Sequence, residues 1–453
     1  MSLPKDFQLR LINTWTEIEY QSFIKAMSEP PPTSIRLHPE KYTKEIPANR
    51  IPWCRYGYYL DYRPKFTLDP DFHAGSYYVQ EASSQSIEYI LRHIHQGNTD
   101  IKILDLCGSP GGKSTLAATF LSHDGLLVAN EIIKYRAYIL RQNIIKEGYS
   151  NVVVSNNDPS DFGRLEGFFD VIIVDAPCSG EGMFRKDTKS MGEWSLDNVA
   201  LCSARQKRIL HDVLPSLKTD GHIIYSTCTY NDDENIDNVE YITQEHDLES
   251  VSIPFDPDWN IIPIEKGDAK GYQFYPHKIQ GEGFFVACLR KKNDKLERTS
   301  YPKTYKNIMV PSKKEVQEIE KYIIAENHEI VLDKVQTFRA LPEGYAKDIK
   351  LLADSLRVIH CGTALGTLQK SVFIPDHNLS TSLKVSHKFP TIELTESEAL
   401  RYLKRELTEI NSPDKGWQMA TYRGNGLGFL KNLGNRINNY LPQELRIRMD
   451  IDQ

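Results

Sequence analysis

Hydrophobic positions along the chain fall into short blocks separated by polar and glycine-containing segments. The most distinct block is Val171-Ile172-Ile173-Val174, inside FDVIIVDAPCSGEGMFRKD at 169–187. A β-branched run this short predicts a strand buried on both faces. It is the fourth of five such strands, the others covering 102–106, 126–130, 152–154 and 222–226. Between them the apolar spacing becomes helical and predicts helices over about 114–121, 134–147, 203–217 and 233–246. Gly148 stands as a C-terminal cap, and Asp220-Gly221 as a turn before the fifth strand. GFFVACL, at 283–289, predicts a late strand. Strands alternating with helices predict parallel βαβ units, hence an α/β fold with a doubly wound sheet.

The flanks follow other patterns. Residues 7–27 carry Leu9, Ile12, Phe23, Ile24 and Met27 at helical spacing, and Pro30-Pro31-Pro32 ends the run. A strand is predicted at 34–38, and WCRYGYY at 53–59 has two readings, a local aromatic core as the expected one and base stacking as the other. Residues 75–84 form a lead-in to a helix that starts near Ser83 or Ser84 and runs to about His95. The region 311–374 has a helix over 314–324 and mixed signals after it. Thr395, with Glu398 three residues on, has the form of a capping box for a helix over 395–410. Residues 417–449 are glycine-rich with short β-like runs and predict a small β-module. These shifts divide the 453 residues into 1–66, 67–292, 293–375 and 376–453, in keeping with roughly 100–200 residues per domain.

Composition narrows the classes. The chain is 40% hydrophobic and 26% charged, a globular balance. No apolar run approaches the ~18 residues of a membrane span. The start, MSLPKDFQLR, lacks the apolar core of a secretory signal, so a cytoplasmic protein is expected. The seven cysteines are odd in number and contain no C-x-x-C pair. This argues against a disulfide framework and a zinc knuckle, so no metal is expected, and it fits a reducing compartment. The net charge of -6 advertises no polyanion, but its distribution does. Residues 290–314 hold nine Lys or Arg against two acids, and 415–448 hold six against one. Two basic runs in an acidic chain point to nucleic acid.

Candidate chemistry gathers at the ends of the predicted strands. The first strand runs into Asp105-Leu106-Cys107-Gly108-Ser109-Pro110-Gly111-Gly112-Lys113. A phosphate-binding P-loop fails here by one residue, because Cys107 occupies the position of its first glycine. The alternative is a turn whose glycines let backbone approach a nucleoside cofactor. An acid ending the second strand would then hold the ribose hydroxyls, and Glu131 stands there. Asp158 has two readings of equal weight on spacing: an acceptor for an adenine amino group, or a turn residue before Pro159. Asp175 and Cys178 follow the fourth strand, and Cys228 follows the fifth. These are neighbouring strands in a doubly wound sheet, so the two cysteines and the acid share one cleft, an arrangement for covalent chemistry.

These stretches resemble a known family. DLCGSPGGK is similar to the cofactor loop of the Nop/Sun-type RNA cytosine methyltransferases, and DAPCSGEGMFRKD and STCT resemble its two cysteine motifs. YVQEASS at 78–84, Arg205-Gln206 and residues 281–287 resemble further landmarks. GLGFLKNLGNRINNYLPQELRI resembles the PUA-like RNA-binding module of the family's small-subunit rRNA branch. Gly108-Ser109 stand where the family usually has Ala-Ala, and Ile236 where Glu often follows a Glu-Asn pair. The resemblance implies a class I, Rossmann-like core flanked by a small N-terminal module and C-terminal α+β and PUA-like domains. It implies S-adenosylmethionine as cofactor, held by 107–113, Glu131, Asp158 and Asp175. The implied partner is RNA, small-subunit rRNA in particular, bound by a monomer. In the implied mechanism Cys228 adds to carbon 6 of a cytosine and Asp175 serves the ring-nitrogen edge. Cys178 helps remove the carbon 5 proton or release Cys228, and Lys113 assists electrostatically. A free thiol titrates near roughly 8.5, so the site must activate Cys228. A stacked base cannot be attacked on its face, so the target must be flipped or unpaired. Tyr422, Phe429 and Tyr440 are candidates for base stacking, with core packing the expected role for most of them. The alternatives are a tRNA substrate, exchanged cysteine roles as in DNA cytosine methylases, a non-catalytic ribosome-assembly factor and a P-loop ATPase.

Overall fold

The computed structural model describes residues 3–292, 299–370 and 372–450. Ten strands form a central sheet. They are β1 (Lys102–Asp105), β2 (Leu126–Asn130), β3 (Val152–Ser155), β4 (Phe169–Asp175) and β5 (Leu217–Thr227). Then come β6 (Leu248–Ser250), β7 (Ile262–Lys266), β8 (Ala269–Phe274), β9 (Phe284–Lys291) and β10 (Val358–Cys361). Their order is β7-β8-β9-β5-β4-β1-β2-β3-β10, with β6 beside β9. The first five strands are mutually parallel. The late strand β9 runs antiparallel to both β5 and β8, and β10 runs antiparallel to β3.

Alternation within each strand sends successive side chains to opposite faces. Leu104, Val128, Ile172, Val174 and Ile223 pack on one side with α3 (Leu196–Val213) and α4 (Ile236–Glu245). Ile103, Leu127, Ala129, Val171 and Ile173 pack on the other with α1 (Gly112–Leu121) and α2 (Lys134–Glu147). Two-sided burial is why these strands are continuous apolar runs. Gly148, at φ 85°, caps α2 as expected.

Several elements depart from the sequence expectation. The helical run 7–27 is two helices, Lys5–Thr14 and Glu17–Ser28, because Thr16 stops the first and caps the second through Glu19 N. The first buries Phe7 and Leu11 while Leu9 and Ile12 lie exposed; the second buries Phe23 and Met27 as expected. The helix expected at 203–217 starts earlier, at Leu196, capped by Ser195, and yields to β5 at Leu217. Asp220-Gly221 is a bulge inside β5: Phe169 pairs with Leu217 and Val171 with His222, so the intervening residues loop out. Helix α4 begins at Ile236, three residues later than expected, because the residues before it bond elsewhere. The helix expected over 314–324 ends at Ile319, and Ile323–Ile324 is a strand paired with Ser386–His387. The Thr395 capping box is present, but its helix stops at Leu403, where Arg405 turns to φ 61°.

The lead-in contains a strand, Tyr77–Val79, paired with Thr33–Leu37. Strand β10, contributed by the chain beyond residue 292, had no sequence signal. Trp53, Tyr58 and Tyr59 are buried, as an aromatic core requires. A five-stranded sheet follows the central one, and the C-terminal module is a four-stranded sheet built on Gly416–Tyr422 and Asn425–Asn432. Part of the basic run at 290–314, residues 293–298, lies outside the described residues. No described helix is long and apolar enough to cross a membrane.

Candidate active site

Strand β1 ends in Asp105, which is fully buried. Its Oδ2 accepts from Ser114 Oγ, and its Oδ1 has no hydrogen-bond partner among the described residues. Burial pushes this carboxyl up to about 7, opposed by the Ser114 hydroxyl and by Lys113. The loop that follows is held from both sides. Leu106 N donates to Ile173 O at 3.0 Å and Gly108 N to Asn130 O at 2.7 Å. From α2, Arg136 donates to Ser109 O at 3.1 Å and Asn143 to Pro110 O at 2.7 Å. A side chain at Gly108 would meet Ser114 Oγ at 2.6 Å, so the closeness of this turn rests on the missing Cβ. Gly111, at φ 123°, redirects the chain into α1. Burial pushes the Cys107 thiol up, so it stays protonated.

Glu131 follows β2 and is buried; its Oε1 accepts from Ile133 N at 2.9 Å, and Arg136 lies 3.4 Å from its Oε2. Asp158 caps the turn at Pro159, accepting from Ser160 N at 3.1 Å and Ser160 Oγ at 2.8 Å. Arg208 lies 3.5 Å from the same oxygen.

Asp175 and Ser226 are register partners on β4 and β5, so the two cysteine loops start side by side. Cys178 Sγ lies 3.1 Å from Cys228 Sγ, and Cys228 N lies 3.4 Å from Cys178 Sγ. The neighbouring Cys228 sulfur, and then burial, raise Cys178 well above the ordinary thiol range. Asp175 Oδ1 accepts from Ser226 Oγ at 2.9 Å, and Oδ2 is 2.8 Å from Lys113 Nζ. Burial alone would depress Lys113; the Asp175 carboxylate, helped by Asp105, outweighs it and holds the ammonium above its ordinary range. Its Nζ also sits 5.1 Å from the centroid of the Phe284 ring, a cation–π distance.

These elements enclose a cavity of about 340 Å³. It is lined by the loop from Cys107 to Lys113, without Gly111, and by Asp175 and Cys228. Tyr78 to Glu81 also line it, packed against the glycine loop, as do Met183, Lys186 and Phe284. Glu131, Asp158 and Cys178 are not among the lining residues. Cys228 therefore opens onto the cavity while Cys178 stands against its sulfur from outside the lining. Sequence reasoning assigned no role to Tyr78, Glu81, Met183, Lys186 or Glu282, although each lies in a stretch that drew attention by its motif. Arg185 and Lys186 lie 3.0 and 3.6 Å from Glu282 Oε1, which ties the cysteine loop to the start of β9.

The cavity suits a cationic nucleoside. Three acids, Asp105, Glu131 and Asp175, end adjacent strands; of these Asp175 lines the cavity, together with Glu81 and Glu282, and Asp105 Oδ1 is buried behind it without a partner among the described residues. A sulfonium or ammonium group entering the cavity meets the carboxylates of Asp175, Glu81 and Glu282, and the Cβ-free turn lets a bulky ligand approach the backbone. Strand order, the reversed β9 and the glycine turn over a cavity at the ends of the parallel strands define a Rossmann-like, S-adenosylmethionine-dependent methyltransferase.

Comparison with known proteins narrows the class. Residues 91–290 match the family described as 16S rRNA methyltransferase RsmB/F. Residues 3–82 match the N-terminal domain of 16S rRNA methyltransferase RsmF, and 389–447 the methyltransferase RsmF PUA domain. The chain belongs to this family. It is 30% identical to the ribosomal RNA small subunit methyltransferase F of Shewanella sediminis, over 94% of this chain and 93% of the relative. It is 31% identical to the protein of the same name from Aliivibrio fischeri, over 98% and 97%. Among solved structures it is similar to NSun6 from Pyrococcus horikoshii with SFG (TM-score 0.54, 21% identity, 64% of this chain and 99% of that one). PH0851 gives a TM-score of 0.57 at 21% identity, over 64% and 66%. These two likenesses establish the fold.

Proposed function

We propose that the chain methylates carbon 5 of a cytosine in small-subunit rRNA through a transient bond to Cys228. The observation that carries this reading is the cysteine pair: Cys228 lines the cavity with Asp175, and the sulfur of Cys178, itself partly exposed, lies 3.1 Å from that of Cys228. This arrangement favours Cys228 as nucleophile over the exchanged roles of DNA cytosine methylases.

The cofactor is held by the loop from Cys107 to Lys113, with Asp105 beneath it and Glu131 at the end of β2. When bound, S-adenosylmethionine supplies an electrophilic methyl group. Carbon 5 of cytosine is a weak nucleophile, and addition of the Cys228 thiolate at carbon 6 turns it into the carbon of an enamine. Negative charge develops at the ring-nitrogen edge as the thiolate adds; Asp175 passes the proton lost by Cys228 to that nitrogen and takes it back on release, while Lys113 holds the Asp175 carboxylate in place. Release requires loss of the carbon 5 proton and of Cys228. Cys178, held protonated, gives its proton to the departing Cys228 sulfur and takes the carbon 5 proton in exchange. The electron pair of the carbon 5–hydrogen bond becomes the restored double bond, and that of the carbon 6–sulfur bond returns to Cys228.

RNA is held by the C-terminal module in this reading. Tyr422 and Phe429 are buried and serve its core, but Tyr440 is 41% exposed and packs at 4.3 Å on Trp417, whose ring lies 5.6 Å from Lys431 Nζ. An exposed aromatic beside a cation is suited to stacking an unpaired base.

The test is denaturing-gel detection of protein bound covalently to RNA. Wild type, Cys178→Ala and Cys228→Ala are incubated with small-subunit rRNA and S-adenosylmethionine. A persistent adduct is expected with Cys178→Ala and none with Cys228→Ala, whose cofactor binding is retained. The reverse pattern assigns the nucleophile to Cys178 and overturns this reading.

A further inference from the structure

Behind the two cysteines lies a closed polar network that the mechanism above does not use. Gln206 on α3, Glu234 in the loop before α4, Tyr225 on β5 and Asn238 on α4 are all fully buried. Gln206 Nε2 donates to Pro177 O at 3.1 Å and to Glu234 Oε2 at 2.8 Å. Glu234 Oε2 also accepts from Ser179 N at 3.0 Å, and its Oε1 from Asn231 at 2.9 Å. The residues on either side of Cys178 are thus gripped by one amide and one carboxylate that bond to each other. Gln206 is itself oriented: its Oε1 accepts from Tyr225 at 3.0 Å and from Asn238 at 2.6 Å. Neither Gln206 nor Glu234 lines the cavity.

Burying a carboxylate and three amides beside an apolar core is costly unless every group is bonded. Apolar residues would hold α3 against β5 as well as these do. What apolar residues would not supply is directional control of the peptide units 177–179. Two thiols exchanging a proton need a short and fixed separation, and among the described residues the Cys178 sulfur is bonded to Cys228 alone. We propose that Gln206 and Glu234 form a clamp on the backbone flanking Cys178 and act as positioning residues for the release step. The inference rests on the cysteine roles proposed above.

The experiment follows adduct formation and decay separately, by quenching enzyme, small-subunit rRNA and S-adenosylmethionine at intervals and resolving the covalent species on denaturing gels. Gln206→Met keeps the side-chain length and removes every polar contact. Its adduct should form within about two-fold of the wild-type rate and decay at least about ten-fold more slowly. Combined with Cys178→Ala, it should add no further slowing, because the clamp acts through a thiol that is already gone. Tyr225→Phe removes one hydroxyl and keeps the ring. It should slow decay in the same direction by a smaller factor, and it carries the test if Gln206→Met does not fold. Slower adduct formation, or further slowing on the Cys178→Ala background, would mean a general structural role and overturns the clamp. A long-lived adduct in Cys178→Ala alone, with normal decay in both network variants, also overturns it and leaves the cysteine roles standing. Absence of any adduct in Cys178→Ala sinks the underlying reading instead.

Discussion

Cys178 and Cys228 carry the same side chain and differ in what surrounds them. Cys228 opens onto the cavity; Cys178 is backed by Cys228, burial and the Glu234 network. A thiol kept protonated is a proton carrier, and a thiol exposed to substrate is a nucleophile. Asp105 shows the same dependence on surroundings. Its carboxyl is raised from 3.8 to about 7 by burial. A carboxyl raised on folding binds more protons folded than unfolded across that interval. Its contribution to stability is therefore full below the unfolded value and lost as pH climbs through about 7. Asp105→Asn, which keeps an acceptor for Ser114, should be more stable than wild type at pH 8 by up to about 4 kcal/mol and nearly equal to it at pH 4. Urea unfolding at the two pH values measures this, and a gap that does not change with pH would count against it. The same variant should bind S-adenosylmethionine more weakly, since a neutral amide replaces the acid beneath the loop.

At the level of elements, the site depends on β4 and β5 ending in register. Asp175 opposite Ser226 sets both cysteine loops at one height, and the bulge at 218–221 in β5 absorbs the extra residues before that point. The loops then touch through Gly182, whose N donates to Cys228 O at 2.9 Å. A Cβ there would lie 2.6 Å from Gly283 O and 3.0 Å from Cys228 O, both backbone atoms that cannot swing aside. Gly182→Ala should displace Cys228 and lower kcat by about 10- to 100-fold. Its affinity for S-adenosylmethionine should stay near wild type, because the cofactor loop lies on other strands. Methyl incorporation and calorimetric titration separate the two effects; equal losses in both would show that the variant disturbs the whole cavity.

Across the whole molecule, one buried side chain joins the N-terminal sheet to the catalytic core. Arg36, 2% exposed, donates to Gln80, to Thr119 at 2.8 Å and to Thr115 at 2.6 Å, the last two on α1. Glu147, at the end of α2, lies 4.0 Å away. The C-terminal part closes on the same seam: Thr381 donates to Ile145 O at 2.7 Å and Asn425 to Lys41 O at 2.8 Å. The cofactor loop runs directly into α1, so the flanking modules brace the helix that the loop enters. Arg36→Met strips a buried cation from its partners and should cost about 3 kcal/mol. Denaturant unfolding would show this as a lower midpoint or as a separate early transition of the N-terminal module. An unchanged midpoint would place the bracing elsewhere.

The pattern of short apolar runs determined the parallel core, because strands buried on both faces leave no polar alternation to misread. It also placed Asp105, Glu131, Asp175, Cys178 and Cys228 at strand ends, since each follows its strand directly in the chain. Asp158 is open between two roles in the sequence, because a turn cap and a ligand acceptor ask for the same residue, and its bonds to Ser160 show the cap. Leu9 and Ile12 carried a helical period but not its phase, which Phe7 and Leu11 set by what they touch. Strand β10 is four residues joined to β3 from 200 residues further along the chain, and only folding brings them together. The network behind Cys178 was hidden for the same reason. Gln206, Glu234 and Ser179 are far apart in sequence, and a buried glutamine and glutamate look like any exposed pair until the structure shows what they hold. Local periodicity is written into consecutive residues; the contacts that aim one sulfur at another depend on closure of the chain in three dimensions.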